Sequence, residues 1–208
     1  GRTLRFIGTA AQTYSGTGTM TAQFLYGLQI ENGSGVTFTQ TNQLVVNRIN
    51  LITGGITGAN KLTLGDASAT ANTIQIGSAA AAAAAGTFDV APTFNLGVSG
   101  LGVIYAKLIA DRSTGNEIPV SRTLSGLIFD TLTANVTIAG GNLTVAPAGS
   151  ATGTIALGTG TTVTNGRIIT GSNTLIASGP VTRTTAGHVD GNFRKTFAAA
   201  GSQTFEVG

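Results

Sequence analysis

The chain has 208 residues, of which 31 are glycine and only 9% are charged, and it contains no cysteine or tryptophan. Its mean hydropathy of +0.28 excludes an intrinsically disordered segment, because disorder requires low hydrophobicity and high net charge. The formal charge of +3 comes from 11 basic and 8 acidic residues spread along the chain, whereas nucleic-acid-binding proteins concentrate their cations on one face. No apolar run is long enough for a transmembrane helix. We therefore expect a folded chain with no nucleic-acid partner and no membrane span.

Short runs of aliphatic residues and threonine recur along the whole chain, separated by glycine, asparagine and serine. Most runs alternate apolar and polar residues, which is the period-2 pattern of a strand with one buried side. The predicted strands are residues 4–7, 28–30, 36–38, 44–46, 62–64, 73–76, 87–90, 103–105, 127–129, 136–138, 143–145, 154–157, 167–169 and 174–176. Glycine and asparagine between the runs suit the positive φ angles of tight corners. The predicted fold class is all-β.

One sequence pattern occurs twice in the chain. GLQIE at residues 27–31 is followed by VTF at 36–38 and LVV at 44–46, and GLIFD at 126–130 is followed by VTI at 136–138 and LTV at 143–145. The offset between the copies is 99 residues at positions 27 and 126 and 100 residues at positions 36 and 136. Repeats on this scale are typical of stacked supersecondary units. We predict one continuous domain over residues 1–208, with an internal duplication of about 3–100 and 101–208.

The lengths of the runs favour one β architecture over another. Antiparallel sandwiches usually have longer strands and a few large aromatic core residues. The core candidates here are mainly Leu, Val and Ile, which suit like residues stacked on strands about 4.8 Å apart. At roughly 20 to 25 residues per coil, as in many solenoid repeats, the chain makes about eight to ten coils. The predicted architecture is a single-stranded parallel β-helix, or β-solenoid.

Few acidic residues are available for catalysis. The chain has 8 carboxylates, and a polysaccharide-processing enzyme needs at least two that converge on one site. Only Asp111 and Glu117 lie close together in sequence, beside Arg112 and Asn116. We interpret this segment as a solvated loop, with a weak cation or sugar site as the alternative.

The only histidine is His188, two residues from Asp190. On a strand, these two side chains would lie on the same face. A metal site would need further ligands, and the chain has no cysteine and no second histidine. No serine is marked as an activated nucleophile. We therefore predict no catalytic residue, no cofactor and no metal ion.

The beginning and the end of the chain carry recognisable motifs: TLRFIGTAAQTYSGTG at 3–18, LQI at 28–30, KLTLG at 61–65, TNGRIITGSNTL at 164–175 and GHVDGNFRKTF at 187–197. These stretches resemble β-strand repeats of very large secreted surface proteins from Bacteroidota and related bacteria. The closing pattern V-x-G-x-x-R-K-x-F … G-x-x-x-F-x-V-G is similar to the element that ends solenoid segments in those proteins, although Glu206 stands where proline is frequent there. The match is weakest over residues 89–122.

The resemblance implies a parallel β-helix in an extracellular, adhesin-like or fibre-forming protein at the cell surface, exported by the type IX route. It also implies a segment of a longer chain. The sequence Asp130-Thr131-Leu132 resembles the acid–hydroxyl–aliphatic site of O-glycosylation in these bacteria, so Thr131 is a candidate glycosylation site. Asp130 and Glu31 are equivalent in the duplication, and we interpret both as acids that cap corners.

These observations together predict a non-enzymatic structural or adhesive β-solenoid in a cell-surface fibre or filament. Neither terminus shows a polar cap, and uncapped solenoids invite end-to-end docking. The expected partners are further copies of the chain or neighbouring segments of the same long chain, and glycans are a further option. The alternatives are a glycan-binding module and a polysaccharide-degrading β-helix enzyme. An ice-binding threonine face is disfavoured because the Thr-x-Thr pairs are irregularly placed.

Overall fold

The structure is a computed structural model that describes residues 2–17, 25–68, 70–80, 84–131, 133–158, 166–184, 186–197, 204–205 and 207. In this part of the chain the secondary structure is β apart from a single 3-10 turn at Ala59–Lys61. The strands are β1 (Thr3–Gly8), β2 (Gln12–Tyr14), β3 (Leu25–Asn32), β4 (Val36–Phe38), β5 (Leu44–Thr53), β6 (Ile56–Thr57), β7 (Leu62–Leu64), β8 (Asn72–Gly77), β9 (Thr93–Phe94), β10 (Leu101–Ala106), β11 (Arg112–Ser113), β12 (Thr123–Leu124), β13 (Gly126–Asp130), β14 (Val136–Thr137), β15 (Leu143–Val145), β16 (Thr154–Leu157), β17 (Arg167–Ala177), β18 (Val181–Arg183) and β19 (His188–Lys195).

The strands of the described residues form three sheets. The first sheet has ten strands, with the main path β1-β3-β5-β8-β10-β13-β16-β18 and with β7 and β9 extending from β5. The second sheet has the order β11-β14-β17-β15-β12, with β19 beside β17, and the third has the order β2-β4-β6. Every pair of these strands is parallel. The all-β prediction is confirmed, and the antiparallel alternative does not describe these sheets.

The main path of the first sheet follows the order of the sequence. Residues that pair on neighbouring strands are 21 to 29 positions apart in the sequence. Gly27 and Arg48 are 21 positions apart, and Asn72 and Leu101 are 29 positions apart. Parallel neighbours cannot be joined by a hairpin, so the chain must leave the sheet and return between them. Between most neighbours it does so through strands of the other sheets, whereas between β8 and β10 the strand that intervenes is β9 of the first sheet itself. Equivalent positions of successive passes therefore stack in columns.

Two of these columns form the inner side of the first sheet. Their members are mainly aliphatic and aromatic: Leu4, Leu28, Ile49, Ile74, Val103, Leu127, Ile155 and Val181 in one, and Phe6, Ile30, Leu51, Ile76, Tyr105, Phe129, Leu157 and Arg183 in the other. The six middle members of each column are at most 2% exposed and belong to one continuous hydrophobic cluster. Burial of aliphatic surface at about 25 cal/mol per Å² is the main stabilising contribution expected here.

Most predicted strands coincide with observed strands, but the predicted strand at residues 87–90 is wrong. In this segment Phe88 forms only an isolated bridge with Ile56. The Asp89 carboxylate instead accepts hydrogen bonds from the backbone N–H groups of Gly58, at 2.8 Å, and Ala59, at 3.1 Å. The segment is therefore a corner held by a side chain, which alternation of residue types does not distinguish from a short strand.

The two copies of the repeated pattern occupy comparable positions in the fold. GLQIE lies in β3 and GLIFD in β13, which belong to the same sheet. The following Val-Thr pairs lie in β4 of the third sheet and in β14 of the second. The third elements differ, because LVV lies in β5 of the first sheet and LTV in β15 of the second, so the correspondence between the copies covers only their first two elements.

Glycine is required at two corners of the first copy. Gly54 and Gly58 have φ angles of 74° and 75°, in the left-handed region that side chains rarely adopt. A Cβ atom at Gly54 would overlap the carbonyl oxygen of Asn32, and one at Gly58 would overlap the carbonyl oxygen of Phe38. These corners pack directly against the backbone of the preceding turn.

Candidate functional site

The acid pair suggested by the sequence does not form a site. Asp111 is exposed, and its carboxylate accepts hydrogen bonds from the Asn135 backbone N–H, at 2.8 Å, and from Asn135 Nδ2, at 3.0 Å. The Asn135 backbone N–H is the main cause that lowers the pKa of Asp111. Glu117 is 1% exposed and is bound to other residues. The expectation of a solvated loop is wrong for Glu117, because this side chain lies in the core.

The buried Glu117 carboxylate is held by three groups. Its Oε1 accepts hydrogen bonds from the Tyr105 hydroxyl, at 2.8 Å, and from the Gly115 backbone N–H, at 3.0 Å. Arg112 Nη2 lies 3.7 Å from Glu117 Oε2, and burial, followed by the charge of Glu117, raises the pKa of Tyr105 well above 10.0. A buried carboxylate is tolerated only when it is paired and hydrogen-bonded. The geometry is that of a structural anchor for the loop between β11 and β12.

This loop crosses a place where two of the three sheets end. In the described residues, β11 pairs only with β14, and the third sheet reaches no further than the bridge between Ile56 and Phe88. The gap between them is bridged by a side chain, since Asn116 Nδ2 donates to the carbonyl oxygens of Phe88, at 3.1 Å, and Asp89, at 3.0 Å. Asn116, which lies next to Glu117 in the sequence, therefore joins the two halves of the molecule.

Two further carboxylates accept hydrogen bonds from backbone N–H groups. For Asp89, burial opposes ionisation, but hydrogen bonds from the N–H groups of Gly58, Ala59 and Val90 outweigh it and lower the pKa. For Asp66, hydrogen bonds from the Ser68 side chain and backbone lower the pKa.

The two acids of the duplication differ in their surroundings. Glu31 Oε2 lies 3.0 Å from Arg5 Nη2 and accepts from Gln29 Nε2 at 3.2 Å, so Glu31 belongs to an ion pair between strands and not to a corner. Asp130 ends β13 and is 7% exposed. Equivalence in sequence therefore does not mean the same role.

His188 and Asp190 lie on the same face of β19, as predicted, since both are half-buried and flank the buried Val189. Asp190 pairs with Arg167 at 2.8 Å, and His188 Nδ1 lies 2.9 Å from the Ala186 carbonyl oxygen. Among the described residues, no group of three or more His, Cys, Asp or Glu side chains could hold a metal ion. His188 contacts a backbone carbonyl and Asp190 pairs with an arginine, which is typical of structural residues.

The candidate glycosylation site Thr131 lies in the interior. The residue is fully buried, and its hydroxyl donates a hydrogen bond of 2.6 Å to the Ala134 carbonyl oxygen. Its neighbour Leu132 and the motif residue Glu206 lie outside the described residues. Glycosylation of Thr131 stays a prediction, and in this fold it would have to precede folding because the hydroxyl is inaccessible.

Two shallow grooves flank the junction between the halves. One, of about 370 Å³, is lined by Ala84, Ala85, Thr87, Ala110, Asp111, Arg112 and Ser113. The other, of about 470 Å³, is lined by Ala91, Pro92, Phe94, Leu96, Gly97, Pro119, Val120 and Ser121. The first contains one carboxylate, which is bound to Asn135, and the second contains none. Neither groove brings two acids together.

The outer side of the first sheet carries a column that the sequence analysis did not identify as a site. From β1 to β18 its members are Arg5, Gln29, Asn50, Gln75, Ile104, Ile128, Ala156 and Thr182. The column is polar in its first four members and mainly apolar in the next three. The signal was present in the duplication, where Gln29 and Ile128 occupy the variable position between conserved apolar neighbours.

Comparison with known proteins gives this chain no relatives, since no family model, curated protein or solved structure matches it. In the described residues, no helix is both long and apolar enough to cross a membrane.

Proposed function

We propose that the chain is a single-stranded parallel β-solenoid that serves as a structural and adhesive part of an extracellular cell-surface fibre. The observation that supports this most strongly is the main path of the first sheet, in which eight strands follow one another in sequence order with parallel pairing. Each of these strands would belong to one coil, so the proposed solenoid has eight coils in the described residues. At about 4.8 Å per strand, the stack is roughly 34 Å long.

The surroundings of the acids support a non-enzymatic role. Asp66, Asp89 and Asp111 accept backbone N–H groups, and Glu31, Glu117 and Asp190 pair with arginine. A general acid or base must reach the proton that it transfers. Carboxylates engaged in this way stabilise turns and strand contacts.

The end of the stack at β1 supports assembly into a longer fibre. Leu4 and Phe6 in β1 are half-buried, whereas their neighbours Leu28 and Ile30 in β3 are at most 1% exposed. An exposed strand edge with apolar side chains is a template for another strand. A second copy or a neighbouring segment of the same chain would cover this edge.

Negative-stain electron microscopy of the purified chain, combined with sedimentation velocity across a concentration series, tests the structural role. We expect short rods that associate end to end as the concentration rises. Globular particles that stay monomeric at every concentration would overturn the fibre proposal. The enzyme alternative is tested by release of reducing ends from polysaccharides, because activity that Asp111→Asn or Glu117→Gln abolishes would replace the structural proposal.

A further inference from the structure

The first four strands of the main path present a polar outer surface. This polar face consists of the column Arg5, Gln29, Asn50 and Gln75, with Glu31, Arg48 and Tyr26 beside it. Successive members stand on adjacent parallel strands, so their spacing is about 4.8 Å. The result is a row of polar side chains on four successive strands of the sheet.

The second half of the molecule shows that this polarity is not required by the fold. Gln29 and Ile128 occupy the same position of the repeated pattern, each between two buried apolar residues. Both lie in one column, and Ile104 and Ile128 are half-buried there just as Gln29 and Gln75 are. The sheet therefore accepts isoleucine at this position as well as an amide.

The side-chain oxygen of Asn50 lacks a hydrogen-bond partner in the part of the chain that the structure describes. Its Oδ1 is shielded from solvent and accepts no hydrogen bond from the described residues. An unsatisfied buried acceptor costs about 1–3 kcal/mol, whereas an apolar side chain such as Ile104 has no such cost. Stability therefore does not account for the choice of asparagine at this position of the column.

The groups on the polar face match the chemistry of a carbohydrate. Amide side chains both donate and accept hydrogen bonds, as sugar hydroxyls do. At the edge of the face, the Tyr26 ring is 40% exposed, and the Arg48 guanidinium carbon lies 5.4 Å from the ring centroid. An exposed ring held by an arginine offers an apolar surface for the C–H groups of a sugar ring, beside a donor for its hydroxyls.

Other polymers fit less well. The Arg5–Glu31 ion pair removes one of the two cations, and a nucleic acid needs several phosphate-neutralising side chains. A peptide bound by strand addition needs an open strand edge; it would pair with β1 and would not lie along the column, because β3, β5 and β8 are paired on both sides.

We propose that the polar face binds a linear carbohydrate chain along the column from Arg5 to Gln75. The proposal rests on the adhesive role given above and names the class of ligand for it. Uncharged and anionic chains are both compatible with one ion pair and one further arginine.

The test uses a variant that gives the first half the outer residues of the second. Gln29→Ile, Asn50→Ile and Gln75→Ile are combined, and a matched control carries Thr137→Val and Thr144→Val on the half-buried outer positions of the second sheet. The probes are immobilised β-glucan, xylan, mannan, alginate and polygalacturonate. We expect the parent chain and the control to bind at least one of them, with the triple variant at least tenfold weaker and Tyr26→Ala also weaker.

No binding by the parent chain to any of these polymers, or equal binding by the triple variant, would overturn the proposal. The proposal would also be overturned if the parent chain bound single-stranded DNA or unfolded casein instead of a polysaccharide and the triple variant lost that binding. Circular dichroism of each variant verifies folding, and the single variant Gln29→Ile, with at least a threefold loss expected, replaces the triple one if folding is impaired. Rods seen by microscopy for a chain that binds no polysaccharide would leave the structural proposal standing and remove only this one.

Discussion

The inner and outer sides of the first sheet differ in how freely their residues change. On the inner side, aliphatic or aromatic residues occupy nearly every position from Leu4 to Leu157, and in the middle strands they are fully buried. On the outer side, one column changes from arginine and amides to isoleucine and alanine without any change in strand pairing. The inner side specifies the fold, whereas the outer side accepts both polar and apolar residues.

A truncation to alanine on each side gives the largest expected contrast. Ile76→Ala removes a fully buried inner side chain and should cost about 2–5 kcal/mol. Ile104→Ala makes the same chemical change on the outer side of the next strand, where the side chain is half-buried, and should cost less than about 1 kcal/mol. Urea unfolding followed by circular dichroism measures both, and equal costs would remove the distinction between the two sides.

The second prediction concerns the buried ion pair between Arg112 and Glu117. Arg112→Ala leaves Glu117 buried with only Tyr105 and Gly115 as partners and should cost about 3 kcal/mol or more. Combining Arg112→Met with Glu117→Gln removes both charges and keeps an acceptor for Tyr105, so most of the loss should be recovered. Urea unfolding is again the measurement. A double variant as unstable as Arg112→Ala would show that packing of Arg112 matters more than its charge.

The third prediction concerns acids that lie at corners, outside both columns. The pKa values of Asp89 and Asp111 are lowered in the folded chain, so the unfolded chain takes up protons first as the pH falls. The stability that these acids contribute is complete above about pH 4, near the unfolded value, and is lost as the pH falls through the lower folded values. Thermal unfolding between pH 6 and pH 2 should show this decline. Asp89→Asn should make it shallower, and an unchanged profile would contradict the assignment.

The smallest effect is expected for an exchange within the outer column. Gln29→Ile and Ile128→Gln each place at one copy of the repeat the residue found at the other. Both should change the free energy of unfolding by less than about 0.5 kcal/mol, as is usual for surface positions. A loss above about 2 kcal/mol in Gln29→Ile would mean that the polar column supports the fold, and thermal unfolding provides the measurement.

Much of the fold could be predicted from the sequence, because short alternating runs and glycine corners reflect local chemistry. The runs at residues 36–38, 62–64, 143–145 and 154–157 coincide with β4, β7, β15 and β16. Two-residue strands such as β11 carry too few residues for a pattern. The segment at 87–90 has the composition of a strand, but the Asp89 side chain binds a different turn.

The candidate site was less predictable. Proximity in sequence suggested Asp111 and Glu117 as a pair of acids on one site. The chain between them turns, so that Glu117 lies in the core while Asp111 stays at the surface. The outer column joins residues about 25 positions apart, such as Asn50 and Gln75. It becomes visible only when the register between strands is known.

Distances between spin labels along the outer column test the stacked arrangement most directly. The chain has no cysteine, so Arg5→Cys can be paired in turn with Asn50→Cys, Ile104→Cys and Ala156→Cys, which lie two, four and six strands away. At about 4.8 Å per strand, the backbone separations should be about 10, 19 and 29 Å. Electron paramagnetic resonance that gives distances rising in these equal steps would support the stacking of the seven strands from β1 to β16. Distances that do not increase in this order would contradict the account.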